Sequence, residues 1–74
     1  MQTLYDLKIG ESAEIKQINC NSNIKRRMMD LGIIDGTMIT PILKSPAGNP
    51  RAYEVRGSII AIRNEDAKNI FITK

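Results

Sequence analysis

The main candidates for acid–base chemistry in this sequence are carboxylates. The chain has eight Asp plus Glu and no histidine, so it lacks both the commonest general base and the commonest neutral metal ligand. Glu65 and Asp66 are adjacent, and on a helical turn they would point about 100° apart, too far to share a proton. The carboxylates show no metal-ligand spacing, so we predict no catalytic residue, no metal site and no cofactor.

Cysteine and methionine supply the other candidate metal ligands. Cys20 is the only cysteine, which excludes an intramolecular disulfide, a thiolate zinc cluster and a two-cysteine redox motif. Met28 and Met29 could act as soft ligands for copper, but no cysteine or histidine stands beside them. Packing in the core or at an interface is the simpler interpretation of both methionines.

The basic run Lys25-Arg26-Arg27 has three interpretations. It could be a solvated helix face whose aliphatic stems pack on the rest of the protein, a docking patch for an acidic protein surface, or a nucleic-acid contact. Eleven Lys plus Arg against eight Asp plus Glu permit an acidic partner without demanding one. Recognition of single strands usually needs aromatic stacking platforms, and the chain has two tyrosines, one phenylalanine and no tryptophan. Nucleic acid is therefore not the expected partner.

Apolar residues follow the basic run at the end of the predicted helix. Met29, Ile33 and Ile34 could exceed what one small core covers, and an exposed remainder beside the arginines would form an apolar patch with a basic rim. Such patches mark interaction sites. The alternative is that all three residues are buried. The predicted partner-binding residues are Lys25, Arg26, Arg27, Met29 and Ile33.

The spacing of apolar residues places the basic run on a short helix. Ile24, Met28 and Leu31 fall at i, i+4 and i+7, which puts them on one helix face. Asn21 or Ser22 can serve as the N-cap, and the glycine after Leu31 fits the left-handed position that ends many helices. A helix of two to three turns is unstable alone, so it must pack on other elements.

The rest of the chain is predicted to form short strands. Tyr53 and Val55 share one strand face, Gly57-Ser58 fits a two-residue hairpin turn, and Pro41 indicates an edge position or a bulge. Asn64 is expected to cap a single helical turn. The predicted strands are Ala13–Ile18, Thr37–Lys44, Arg51–Arg56, Ser58–Arg63 and Asn69–Thr73.

These elements predict a mainly β fold. We expect a small SH3-like barrel of about five strands, with one short helix inserted after the first strand and a single helical turn before the last. At 74 residues the chain is expected to be one domain, residues 1–74. No apolar run approaches the roughly 20 residues that span a bilayer, and Met1–Asp6 lacks the regions of a signal peptide. We therefore expect a cytoplasmic protein with no direct membrane insertion.

At this point the sequence resembles a known family, FeoA, the small cytosolic component of bacterial ferrous iron transport. The resemblance runs nearly from end to end, and its short motifs are individually weak but occur in the family's order. Met28 departs from the more typical leucine, a change that conserves volume. The matching positions are Leu4–Gly10, with Leu7 and Gly10 as its motif residues, the Ala13–Ile18 strand, Arg27–Ile33, Gly36-Thr37, Pro50, Tyr53, Val55, Gly57, Ile60–Arg63, Ala67 and Ile70.

The resemblance implies an SH3-like barrel with a helical insertion, similar to the C-terminal domain of iron-dependent repressors. It implies a non-enzymatic accessory or regulatory role through contact with the cytosolic part of the FeoB ferrous iron transporter. The family also has a generic association with transition metals, although no ligand set is visible here. Two alternatives stay open, an SH3-like nucleic-acid-binding domain and a domain that senses a transition metal directly. Strand edges or the Met29 patch could also support self-association.

Overall fold

The computed structural model describes residues 2–74, which form a mainly β fold with two short α-helices. All strand pairs are antiparallel, in the order β1-β6-β2-β3-β4-β5. The elements are β1 (Gln2–Thr3), a 3₁₀ turn (Leu4–Asp6), β2 (Ala13–Ile18), α1 (Ser22–Asp30), β3 (Met38–Lys44), β4 (Arg51–Val55), β5 (Ser58–Ile62), α2 (Asn64–Ala67) and β6 (Ile70–Thr73).

The five longer strands and both helices lie where the sequence predicts them, which confirms the mainly β class and the position of the inserted helix. The two-residue strand β1 was not predicted. It pairs Gln2 with Ile72 and Thr3 with Phe71. A strand of two residues carries no alternating pattern, so sequence periodicity cannot detect it.

The core contains the inward-facing residues of the strands. In β4 the side chains of Arg51, Tyr53 and Val55 are buried, while Glu54 between them is exposed. This is the two-residue period of a half-buried strand. The core also receives Met28 from α1, so the helix is anchored on the sheet as its shortness requires.

Pro41 lies at a bulge, one of the two alternatives left by the sequence. Strand β3 pairs with β2 only through Met38 and Ile39, so at Pro41 its one strand partner is β4. Pro41 is opposite Tyr53, and the register then shifts so that Leu43 is opposite Ala52. The bulge accommodates a residue that cannot donate a ladder hydrogen bond.

The hairpin between β4 and β5 turns one residue earlier than predicted. Val55 pairs with Ser58, so the turn residues are Arg56 and Gly57 rather than Gly57 and Ser58. Their φ angles are +52° and +82°, and positive values at both positions define the type I′ turn that matches strand twist. The expectation of a glycine-first turn is wrong because Arg56 itself adopts the left-handed conformation.

The two helix starts differ in how well the sequence predicted them. Asn21 caps α1, its Oδ1 accepting a hydrogen bond from the Ile24 N–H at 3.0 Å. Asn64 was expected to cap α2, but the cap residue is Arg63. The Asn64 side chain instead donates from Nδ2 to the Gly48 carbonyl at 3.0 Å, so contact with the preceding loop overrides its local capping preference.

No helix within residues 2–74 has the length and apolar character needed to cross a membrane.

Candidate protein-binding groove

The basic run lies on the solvent side of α1. Lys25, Arg26 and Arg27 are exposed, and Met29 beside them is 52% exposed. None of the three cations forms an ion pair with any residue from 2 to 74. Four of the five predicted partner-binding residues are therefore exposed on α1, and the three cations among them have no ion-pair partner within residues 2–74.

Ile33 is the exception among the predicted partner-binding residues. Its side chain is completely buried in the core, against the expectation that it contributes to the surface. The chain turns inward after the glycine at the end of α1, and the Ile33 N–H donates to the Met28 carbonyl at 2.9 Å. Ile34 and Leu31 remain partly exposed, so part of the predicted apolar remainder does exist.

An apolar groove of about 620 Å³ lies between α1 and β5. We define the α1–β5 groove by Ile24, Met28 and Leu31 on the helix side and by Ile59 and Ala61 on the strand side. Ile59 is 68% exposed, and Leu31 is nearly half exposed. The three helix residues share one face as their spacing predicts, but Leu31 lines an open groove rather than filling the core.

Ile59 was missed by the sequence reasoning, although a signal for it was present. The segment Ile59-Ile60-Ala61-Ile62 is apolar without interruption, whereas a strand with one solvated face should alternate. A continuous apolar strand therefore has a second apolar face, which either packs under another element or stays exposed to solvent. In this structure β5 also ends the strand order, so one of its edges has no strand partner within residues 2–74.

Of the two arginines that line the α1–β5 groove, one forms ion pairs and the other does not. Arg63 at one end is paired within its own segment, with Nε 3.3 Å from Asp66 Oδ2 and Nη1 3.6 Å from Glu65 Oε1. Arg27 at the helix wall has no such partner among the described residues. The groove thus combines an apolar interior with a cationic rim on the α1 side.

The charged side chains that line the groove are Arg27, Arg63 and Asp66. Cys20 packs beside it, its Sγ 3.8 Å from the Asp66 carbonyl, and burial together with the Asp66 charge raises the pKa of this thiol. No group of three His, Cys, Asp or Glu side chains in the described part of the chain is close enough to hold a metal ion. What the groove offers is an apolar surface with charges for orientation, which is the chemistry of binding.

Comparison with known proteins places this geometry in a family. The FeoA domain model matches residues 2–74. An Fe(2+) transport protein A/Fe(2+) transporter FeoB fusion protein from Porphyromonas gingivalis is 27% identical over 67 residues. That match covers 90% of this chain and 8% of the fusion protein, so the chain spans only a small part of that relative's length.

Solved structures of similar proteins share the fold. The FeoA protein from Chlorobium tepidum is 28% identical with a TM-score of 0.92, covering 96% of this chain and 68% of that one. FeoA from Stenotrophomonas maltophilia, described as an SH3 domain protein and complexed with zinc, is 27% identical with a TM-score of 0.81, covering 99% and 91% of the two chains. These matches confirm the SH3-like architecture, and this chain belongs to the FeoA domain family.

Proposed function

We propose that this chain is a non-enzymatic accessory and regulatory module of ferrous iron transport that works in the cytoplasm. In this proposal it acts by contacting the cytosolic part of an FeoB transporter through the α1–β5 groove and the basic face of α1. The observation that carries the proposal is an open apolar groove whose lining includes the unpaired cation Arg27, on the helix that also exposes Lys25 and Arg26. The Porphyromonas gingivalis fusion protein supports it, because there the two named components occur in a single polypeptide.

The chemistry of the groove defines what the partner segment should contain. Apolar side chains would bury against Leu31 and Ile59, and carboxylates would face Arg26 and Arg27. The free edge of β5 can pair with an extended backbone, a common mode of peptide recognition. We therefore expect the transporter to present an acidic segment with one or two large aliphatic residues.

The aromatic side chains favour a protein partner over a nucleic acid. Tyr53 is completely buried. Lys68 Nζ lies 4.8 Å from the centre of the Tyr5 ring, and the Arg51 guanidinium carbon lies 5.6 Å from it. A ring already contacted by two cations is a poor platform for base stacking.

Two exposed methionines provide a matched test of this proposal. Met29 on α1 and Met38 at the start of β3 are 52% and 54% exposed, and only Met29 lies on the helix that carries the basic run. Met29→Asp should weaken binding to the cytosolic part of the cognate FeoB, measured by calorimetry, by about tenfold or more, since apolar contact is lost and a like charge faces the acidic segment. Met38→Asp should leave the affinity within about twofold.

A second variant pair tests the charge on the basic face of α1. Arg26→Glu and Lys16→Glu make the same charge change at exposed positions, one on α1 and one on β2. Arg26→Glu should slow association with FeoB, and the difference from wild type should shrink in high salt. Equal effects of the two variants, or full affinity in the combined Arg26→Glu/Met29→Asp protein, would contradict the proposed surface.

A further inference from the structure

A second cavity, of about 500 Å³, lies between the N-terminal segment and the loop that follows β3. We call it the basic cavity and define it by Tyr5, Lys8, Lys44, Arg51 and Asn64. It shares no lining residue with the α1–β5 groove. Its properties are not explained by the proposed contact with a transporter.

Arg51 contributes a buried charge to the basic cavity. Its side chain is only 6% exposed, yet it makes no ion pair with any described residue. Nη1 donates to the Tyr5 carbonyl and Nη2 to the Leu7 carbonyl, both at 3.1 Å. Carbonyl dipoles lower the cost of burying a guanidinium but do not neutralise it, so a positive field remains at the cavity.

Two lysines add to this field. Lys8 and Lys44 line the basic cavity and lack ion-pair partners within residues 2–74. The one lining carboxylate, Asp6, is occupied by Thr3, whose N–H and hydroxyl donate to Asp6 Oδ2 at 2.9 and 3.2 Å. Cationic side chains thus outnumber carboxylates three to one around the cavity, and such a concave basic site concentrates anions.

Asn64 supplies an acceptor that has no donor. Its Nδ2 donates to the Gly48 carbonyl, which fixes the orientation of the amide. Its Oδ1 is then buried with no hydrogen-bond partner in the structure. Because buried acceptors are normally satisfied, a ligand that carries a donor such as a hydroxyl as well as an anionic group would satisfy this oxygen after a small movement of the Asn64 side chain towards the cavity.

We propose that the basic cavity binds a small polyol phosphate. Lys8 and Lys44 donate to the phosphate oxygens, an arrangement of strong charge-assisted hydrogen bonds, and the buried Arg51 reinforces their field. A hydroxyl of the same ligand donates to Asn64 Oδ1. The phosphate and hydroxyl can come from a free sugar or glycerol phosphate, or from the head group of a glycerol-bearing phospholipid.

The experiment is a titration with glycerol 3-phosphate followed by ¹⁵N chemical shifts in a low-salt buffer. Wild type should show saturable shifts around Lys8, Lys44 and Asn64, and inorganic phosphate should bind more weakly because it lacks the polyol hydroxyl. Lys8→Gln/Lys44→Gln should weaken glycerol 3-phosphate binding about tenfold or more. Lys25→Gln/Arg26→Gln removes the same charge from α1 and should change it less than about twofold.

A vesicle arm identifies the source of the ligand. The protein is tested for co-sedimentation with phosphatidylglycerol vesicles and with phosphatidylcholine vesicles. Co-sedimentation with phosphatidylglycerol alone would support the lipid head group as the physiological source, provided that Lys8→Gln/Lys44→Gln abolishes it. Binding of glycerol 3-phosphate alone would support a free metabolite. Absence of saturable binding in both arms, or equal losses in the two charge variants, would overturn the proposal. All four lysine and arginine positions are exposed, so unchanged thermal unfolding is expected and serves as the folding control.

Discussion

At the residue scale, Arg56 shows how a local conformation can depart from what its side chain prefers. It is the one non-glycine residue with positive φ in the described chain, and this conformation costs L-residues roughly 1–2 kcal/mol. Asn tolerates it better and forms the favoured Asn-Gly type I′ turn. Arg56→Asn should therefore raise the free energy of unfolding by about 1 kcal/mol, measured by urea denaturation.

Arg56→Ala is the matched control for that prediction, because alanine retains the penalty of the left-handed conformation. It should not stabilise the protein. Equal stabilisation by both variants would mean that removal of the Arg56 charge, and not relief of the backbone, is responsible.

Cys20 carries a second residue-scale prediction. Burial, and secondarily the Asp66 charge, raise the pKa of its thiol above the ordinary value of a cysteine. A raised pKa leaves less thiolate at any pH below it, and the thiolate is the reactive form. Alkylation by iodoacetamide at pH 8 should thus be slower in the folded chain than in urea, and the folded rate should begin its rise at a higher pH.

Asp66→Asn tests the electrostatic part of that shift. It removes the charge and should raise the folded alkylation rate without reaching the rate in urea, since burial is the larger cause. A folded rate equal to the unfolded rate in the original protein would show that Cys20 is not shielded.

At the scale of elements, β5 is an unusual edge strand. It is uncharged along its whole length, and its end position in the sheet leaves one edge without a strand partner in the described residues. Edge strands of natural proteins are commonly protected by charge, particularly lysine. We expect the free protein to self-associate at high concentration, and Ile59→Lys should reduce this in sedimentation velocity measurements.

The control for the β5 prediction is Leu43→Lys. Leu43 is also well exposed, but it lies on β3 opposite Ala52 of β4, away from the free edge of β5. If Leu43→Lys suppressed self-association as strongly as Ile59→Lys, general surface apolarity and not the open edge would be the cause.

How far the sequence predicts these elements depends on the kind of signal each contains. Helix α1 was predictable because its apolar spacing and its asparagine cap agree. The turn at Arg56 was misplaced by one residue because glycine is the stronger signal and the conformation of its neighbour is set by register. Ile33 was assigned to the surface because a helical pattern says nothing about where the chain goes after its terminal glycine.

At the scale of the whole molecule, the chain carries two separate surfaces on one small core. Tertiary contacts create both surfaces, so the order of residues in the sequence does not show them. The α1–β5 groove joins residues about 30 positions apart in the sequence, and the basic cavity joins the N-terminal segment to Arg51 and Asn64. Single-sequence patterns could identify the basic run and the exposed methionine, but they could not show which apolar strand would lie beside them.

The central claim is that the α1–β5 groove contacts the cytosolic part of FeoB. The most direct measurement is a ¹⁵N NMR titration of this chain with that part of its cognate transporter, with and without guanine nucleotide. Our account predicts that shift changes and line broadening concentrate in Ser22–Leu31 and Ser58–Ile62, and that Leu31→Asp/Ile59→Asp abolishes them while the fold is retained. Saturable binding whose shifts fall elsewhere, or binding that survives the double substitution, would contradict it.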